Sequence, residues 1–366
     1  LIRTFLYRLY PTGRQERILL SWLTVLRWIY NAALQERRDA YRLAGKSIGY
    51  NEQTKEITQL RAEDAEYAAI PVEVLRSPLK QLKKGFDGFF RRCKTGEKPG
   101  FPRFRGRDRF SSFSFGPTKV NDQGRVWVFG IGWIRLNLHR PVDGVIKDGR
   151  IIHRNGRWYV SFQCYVGEAP AKVPVRNAVG IDLGLTHFAV LSDGTEIPNP
   201  RFFKESEALI ARRQQALARK RRGSKSRQKA KRLVGRAHEK VTNQRLDFAR
   251  KTACDLYDRY DLVVHEDLTI ARMIRAGFSK SISDVSWGAT LRCLSDKAEY
   301  AGRWLIAVDP RGTSQRCSRC QATVQKELSE RTHSCPNCGL VLGPDHNAAI
   351  NILALGASAA SNPKSV

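Results

Sequence analysis

Two pairs of cysteines constrain this chain more than anything else in it. Cys317 and Cys320, then Cys335 and Cys338, follow the spacing Cys-x2-Cys-x14-Cys-x2-Cys. Each pair must turn back on itself to present two thiolates, and four thiolates close a tetrahedral zinc site with no open position, which makes the site structural. Such binding contributes on the order of 10 kcal/mol to a segment too small for a core of its own. Redox chemistry would need only one pair. The remaining cysteines, Cys93, Cys164, Cys254 and Cys293, are scattered through unrelated segments, so no disulfide framework is expected and the cytoplasm is the expected compartment. Directly after the second pair comes Asp345, opening an apolar helix, HNAAINILALG. Alone, Asp345 reads as a helix cap. Ala348 and Ala349 are small enough to let that helix lie close on a sheet.

The charge balance points to a partner. With 64 Lys and Arg against 35 Asp and Glu, the 366-residue chain carries a formal charge of +29, and a polyanion, nucleic acid above all, is the economical explanation. No run of about 18 apolar residues is present, and the start, LIRTFLYRLYPTGRQ, is too interrupted by charge for a signal sequence. No membrane partner is expected.

Taken in order, residues 2–10 alternate as a strand with Arg3, Phe5, Tyr7 and Leu9 on one face. Apolar residues at steps of three and four predict a helix from Gly13 to about Leu43 and another from Pro71 to Arg92, the second with Leu75, Leu79, Leu82, Phe86 and Phe89 inside and a basic circumference. Residues 98–110, KPGFPRFRGRDRF, cannot form regular structure; either their arginines follow a phosphate backbone with ring stacking in support, or their phenylalanines plug a neighbouring core. Short β-rich runs fill 111–168, with hairpins predicted at Asp148-Gly149 and Asn155-Gly156. They predict an antiparallel sheet or small barrel that the first strand could complete. A proline-rich linker spans 167–177.

Beyond the linker, Asp182 sits in an apolar strand that a hairpin at Asp193-Gly194 follows. A carboxylate there is expensive to bury unpaired. Residues 211–240 predict a basic helical hairpin about Gly223-Ser224 that lies along phosphates, with a solvated basic run as the alternative. A further helix, LDFARKTACDLYDRY, leads to the strand of DLVVHEDL, where Glu266 stands at the carboxyl end, the edge at which sites of open α/β sheets gather. Met273 to Ser283 reads as a flexible loop, followed by one more helix and strand. Asp182, Glu266 and Asp345 thus lie on three separate elements. If they converge, they suit hard divalent cations, Mg²⁺ or Mn²⁺, and two such ions about 4 Å apart can activate water and stabilise a leaving 3′-oxygen. Clustered without metal, the carboxylates repel, and raised pKa values follow.

GIDLG with Asp182, VVHEDL with Glu266, TSQRCSRC and CPNC with the four cysteines, and DHNAAINI with Asp345 resemble the RuvC-type nuclease segments and zinc ribbon of the TnpB (OrfB) proteins of bacterial insertion sequences. RLYPTGRQ, WIYNAAL and GFPRFRGR resemble the family's N-terminal hallmarks, so the likeness spans the chain. The resemblance implies an RNA-guided DNA endonuclease related to compact type V CRISPR effectors. Its guide RNA comes from the transposon end, and its target is double-stranded DNA beside a short adjacent motif. It implies Mg²⁺ or Mn²⁺ at Asp182, Glu266 and Asp345 and zinc at the cysteines; the sequence leaves the oligomeric state open, with a monomer favoured.

The implied fold is α/β and multidomain. A wedge β-barrel (1–15 and 111–172), a helical recognition lobe (16–110) and an RNase H-like RuvC domain (173–311 and 341–354) with an inserted zinc ribbon (312–340) precede a tail (355–366). Tyr50, Arg76 and Lys80 are candidates for reading the adjacent motif, chosen on position and charge, and Arg103 and Arg105 for backbone contact. Two departures from the family pattern stand out: Gln321 replaces the glycine after the first cysteine pair, and Gly343-Pro344-Asp345-His346 replaces Asp-Arg-Asp. An RNA-guided repressor that holds DNA without cutting, and an RNA-independent transposase, remain alternatives.

Overall fold

The computed structural model describes residues 1–107, 109–268, 284–325 and 332–360, with side chains to 358. The loop expected at Met273–Ser283 lies outside the described residues. The chain divides into two compact units, Leu1–Glu168 and Ala169–Val366, with the boundary inside the proline-rich stretch.

In the first unit, β1 (Ile2–Tyr10) alternates as the sequence predicts, burying Phe5, Tyr7 and Leu9, while Arg3 at its start is exposed. Thr12 then caps α1 (Gly13–Ala44) through a reciprocal box: its hydroxyl accepts from the Gln15 amide, and the Gln15 side chain accepts from the Thr12 amide. The helix buries Leu19, Trp22, Leu26 and Ile29 and ends at Gly45, whose φ of 62° is left-handed. After α2 (Tyr50–Glu63) and the single turn α3 (Ala65–Ala68), α4 (Val72–Lys94) buries Leu75, Leu79 and Leu82.

Six strands follow: β2 (Ser112–Gly116), β3 (Val120–Asn121), β4 (Arg125–Val128), β5 (Gly132–Asn137), β6 (Val145–Arg154) and β7 (Arg157–Tyr165). With β1 they form one antiparallel sheet in the order β2-β6-β7-β1-β5-β4-β3, so the first strand lies in the middle of it. The helices and the sheet share one core, in which Trp22 meets Phe113 edge-on.

Two expectations change here. Asp148-Gly149 is not a turn but lies inside β6, beside a register shift, and the ring of Phe115 comes within 2.4 Å of where a Cβ on Gly149 would sit. That glycine serves close packing and not a reversal. Asn155 and Gly156, with φ of 53° and 70°, do make the hairpin, joining β6 to β7 across Arg154 and Arg157. The other surprise is α2, whose sequence shows almost no apolar period. It buries two residues, Ile57 in the core and the polar Gln53, which donates to the Ala33 carbonyl at 2.9 Å and accepts from Arg37 at 2.8 Å.

The second unit is built on a five-stranded sheet of β8 (Ala178–Leu183), β9 (His187–Leu191), β10 (Glu196–Pro198), β11 (Leu262–Glu266) and β12 (Trp304–Val308), in the order β10-β9-β8-β11-β12. Strands β8, β9 and β10 are antiparallel neighbours, whereas β8, β11 and β12 are parallel. The parallel crossovers are helical, through α5 (Phe202–Ala218) and α6 (Lys225–Arg259), then through α7 (Trp287–Ala301). The basic hairpin is therefore present, with Ser224 capping α6 through the Arg227 amide. Its second arm runs unbroken into LDFARKTACDLYDRY. These are one helix of 35 residues and not the two expected, because the polar stretch between them contains no helix breaker.

The last helix, α8 (Pro344–Ala360), lies on β8, where a Cβ at Gly180 would come within 2.1 Å of the Ala349 carbonyl oxygen and 2.7 Å of the Leu353 nitrogen. At its other end Gly356 abuts Val264 of β11, where an added Cβ would meet methyl carbons at 2.4 Å. Small residues on both surfaces thus set the approach, as Ala348 and Ala349 led one to expect. Gly180→Ala is expected to destabilise the protein by about 3 kcal/mol, since the obstacle is backbone that no rotamer change can clear. Urea unfolding measures this, and a loss under about 0.5 kcal/mol would contradict the packing.

Candidate metal centres

The four cysteines converge. Cys317 Sγ lies 3.6 Å from Cys338 Sγ and Cys320 Sγ 3.5 Å from Cys335 Sγ, and all four sulfurs fall within 4.8 Å of one another. A tetrahedron with zinc–sulfur bonds of about 2.3 Å has edges of roughly 3.8 Å, so the cluster fits zinc. Both pairs use the same local fold. Cys317 N donates to Ala322 O and Gln321 N to Cys317 O, just as Cys335 N donates to Leu340 O and Gly339 N to Cys335 O, each at 2.9 Å. A short ribbon, β13 (His333–Ser334) with β14 (Val341–Leu342), carries the second pair. Hydrogen bonds from the Asn337 side chain and the Ala322 amide pull the Cys320 thiol down, while burial and the neighbouring thiols push Cys338 up, so the crowded sulfurs share protons that a metal would displace.

The repeated turn explains what Gln321 does in place of glycine. Gly339 adopts φ 71° at its position in the second turn, and Gln321 is forced to φ 60° at the matching position in the first. A left-handed conformation costs a side-chain-bearing residue about 1–2 kcal/mol. Gln321→Gly is expected to stabilise the knuckle by about 1 kcal/mol, partly offset by the freer unfolded chain. Slower zinc release to a chelator would show it; faster release would contradict the shared turn.

The three carboxylates also approach one another. Asp182 lies in β8, Glu266 ends β11, and Asp345 occupies the first turn of α8. Asp345 is not the helix cap: the Asn347 amide bonds the Gly343 carbonyl, and Pro344 fills the first helical position, which its missing N–H suits. Asp345 therefore sits in the first turn of α8 without capping it. Burial, and after it the negative charges of Glu266 and Asp345, push the Asp182 carboxyl up to about 8. Burial also raises the Glu266 carboxyl, against a hydrogen bond from Thr313 that lowers it. Among the described residues the four thiols are the group packed closely enough to hold an ion as they stand; the carboxylates are near enough to repel without closing to that degree. Their chemistry, hard oxygens in a partly buried cluster, fits Mg²⁺ or Mn²⁺.

The signs give a pH test. An unfolded aspartate has a pKa of about 3.9, so between there and about 8 the native chain retains a proton that the unfolded chain releases, and stability must fall as pH rises through that window. In buffer without added magnesium, wild-type stability to urea is expected to drop between pH 5 and pH 8.5, and Asp182→Asn should flatten the profile. Parallel profiles for the two chains would contradict the repulsion.

The nucleic-acid candidates lie in the first unit. On α4, Arg76 and Lys80 both reach Glu73, at 3.6 and 2.9 Å, and Tyr50 is close enough to Lys80 to raise its pKa along with Glu73, against desolvation. These three therefore share a patch, although Glu73 offsets part of its charge. In 98–110 the core-plugging reading holds for Phe110, which is buried against Tyr30, whereas Phe101 and Phe104 are about half exposed and Arg103 is exposed. Asn31 clamps the Arg105 backbone from both sides, at 2.8 and 3.0 Å, and sets its guanidinium over Tyr30.

Sequence reasoning missed a second cationic surface, on the sheet face opposite the core. There Arg8 lies over the rings of Tyr10 and Tyr159, Arg135 over Tyr10 and Arg154 over Tyr159. The signal was available in the residues of β1 that alternate with its core positions, Arg8 and Tyr10 among them. Among the described residues, no helix is long and apolar enough to cross a membrane.

Comparison with known proteins agrees with this architecture. Residues 161–277 match the OrfB_IS605 family, described as "Probable transposase", and 287–352 match "Cas12f1-like, TNB domain". Residues 1–46 match a family described as "Helix-turn-helix domain", although here they form one strand and one unbroken helix. The fold is that of compact Cas12 effectors. The Cas12f1 chain of a cryo-EM structure of a Cas12f1–sgRNA–target DNA complex superimposes with a TM-score of 0.61 at 13% identity, covering 96% of this chain and 98% of that one. A mini-RNA-guided endonuclease, CRISPR-Cas_phi3, gives 0.58 at 10% identity, covering 97% and 92%.

Sequence relatives are closer. A Streptomyces pristinaespiralis protein, "Putative RNA-guided DNA endonuclease", is 30% identical over 98% of this chain and 90% of its own length. The Escherichia coli (strain K12) protein "Putative RNA-guided DNA endonuclease InsQ" is 29% identical over 97% and 92%. The chain belongs to the TnpB (OrfB) family of insertion-sequence RNA-guided nucleases, related to the compact type V CRISPR effectors.

Proposed function

We propose that this protein is an RNA-guided DNA endonuclease that hydrolyses target phosphodiesters at Asp182, Glu266 and Asp345. The observation that best supports this is that the buried Asp182 on β8 feels the negative charges of Glu266 from β11 and Asp345 from α8, in a chain whose net charge is +29. A binding protein gains nothing from concentrating negative charge where DNA must lie. On this reading the five-stranded sheet and α8 form an RNase H-like RuvC domain with the zinc ribbon inserted before α8. The seven-stranded sheet is the wedge, and α1 to α4 belong to the recognition lobe.

Mg²⁺ or Mn²⁺ held by the three carboxylates would activate the attacking water and stabilise the leaving 3′-oxygen. The chain's own contributions are distinct. Asp182 projects from the middle strand, fixed by pairing on both sides, and supplies the buried anion. Glu266 comes from the neighbouring strand end, with one oxygen bonded by Thr313. Asp345 arrives in the first turn of α8. The basic arms of α5 and α6 would follow phosphates, and Arg103, Arg105 and the Arg8, Tyr10, Arg135 and Tyr159 face would add stacking and charge to the hold on guide and target. Tyr50, Arg76 and Lys80 remain the candidates for reading the adjacent motif. The guide is an RNA from the transposon end.

With its copurified guide RNA and Mg²⁺, the protein is expected to cut matched duplex DNA. Asp182→Ala should lower the rate more than about 100-fold, beyond the usual cost of a change behind the metal ligands, while target binding stays intact. Undiminished cutting by that variant would sink the assignment. Joining of DNA ends without RNA would favour a transposase instead.

A further inference from the structure

Between the cysteine cluster and the carboxylates runs a continuous set of hydrogen bonds that neither site requires. Asn347 and Asn351, one turn apart on α8, are both buried, at 0% and 4% exposure. Asn347 donates to the Arg316 carbonyl at 2.8 Å and accepts from the Ser318 amide at 2.9 Å, gripping the backbone on either side of Cys317. Asn351 donates to the same Arg316 carbonyl at 2.7 Å and to the Thr313 carbonyl at 2.8 Å. Thr313, itself 3% exposed, then places its hydroxyl 2.5 Å from Glu266 Oε1 and 2.9 Å from the Pro310 carbonyl. A hydroxyl has one proton and these are two acceptors. The shorter contact, in the range of a charge-assisted O–H···O⁻ bond, takes it. Glu266 ends its strand with one carboxylate oxygen held by Thr313, and this bond selects its rotamer.

We propose that Thr313 is a positioning residue for the metal site: held by Asn351 on the helix that carries Asp345, it orients Glu266 towards Asp182 and ties that carboxylate to the chain entering the cysteine cluster. The proposal rests on the carboxylate site described above. Its consequence is that the zinc knuckle, with no open position for chemistry, contributes to cation binding by anchoring the segment that steers Glu266. Residues that hold a ligand from behind alter metal affinity by about 10–100-fold.

The test is Mn²⁺ titration of the full chain by calorimetry, with Asp182→Ala defining the binding that belongs to this site and zinc content measured for each protein. Thr313→Val, which keeps the shape and loses the hydroxyl, should weaken the Asp182-dependent binding about ten-fold or more, with one zinc retained and the unfolding midpoint unchanged. Thr313→Ser should restore binding to within about two-fold of wild type, because the hydroxyl carries the effect. Should Thr313→Val lose its zinc, Thr313→Ala takes its place in the same comparison. Binding that is lost in Asp182→Ala but equal to wild type in the valine or alanine variant overturns the role of Thr313 alone, as does a serine variant as weak as the valine one. Absence of any Asp182-dependent binding in the wild-type chain overturns the site and this proposal with it.

Discussion

Gly180 and Ala349 meet with no room for a methyl group between them, and the second unit's chemistry depends on that contact. A helix can carry a carboxylate to the ends of parallel strands only if its axis comes close to the sheet, which demands small residues on both surfaces. Glycine on the strand and alanine on the helix satisfy this, and Gly356 repeats the arrangement against Val264. The alternative, larger residues and a more distant helix, would bury more apolar surface and leave Asp345 stranded away from Asp182. Stability is given up there for placement.

The placement creates an electrostatic problem that the rest of the chain is suited to exploit. Asp182 is held near neutral by burial and by its two acidic neighbours, in a molecule with a large cationic surplus. On the proposed reading a divalent cation would relieve the repulsion where it is strongest, and DNA would offset the opposite charge over the remaining surface.

Much of this was legible in the sequence, and what was not has physical reasons. The cysteine pairs, the alternation of β1 and the carboxylate at the end of an apolar strand are local signals that few different structures would produce. So was the resemblance to the TnpB family, which relatives along the whole chain bear out. The helix α2 escaped notice because it buries a single apolar residue, Ile57, beside the amide of Gln53, too little for hydrophobic periodicity to register. Asp148-Gly149 misled because the dipeptide that favours a hairpin also leaves a space, and Phe115 fills it. The unbroken run of α6 was divided at a change in composition that did not correspond to a change in backbone. The link from Asn347 and Asn351 to Thr313 joins residues distant from Glu266 in sequence, and no local pattern announces it.

The account turns on whether Asp182, Glu266 and Asp345 hold one divalent site separate from the zinc. Anomalous scattering from crystals of the full chain grown with Mn²⁺ tests this most directly, recorded at the manganese and zinc edges. The account predicts manganese bonded to oxygens of all three carboxylates, and zinc alone among the four cysteine sulfurs. Manganese bound elsewhere, with the three carboxylates apart and unliganded, would contradict it.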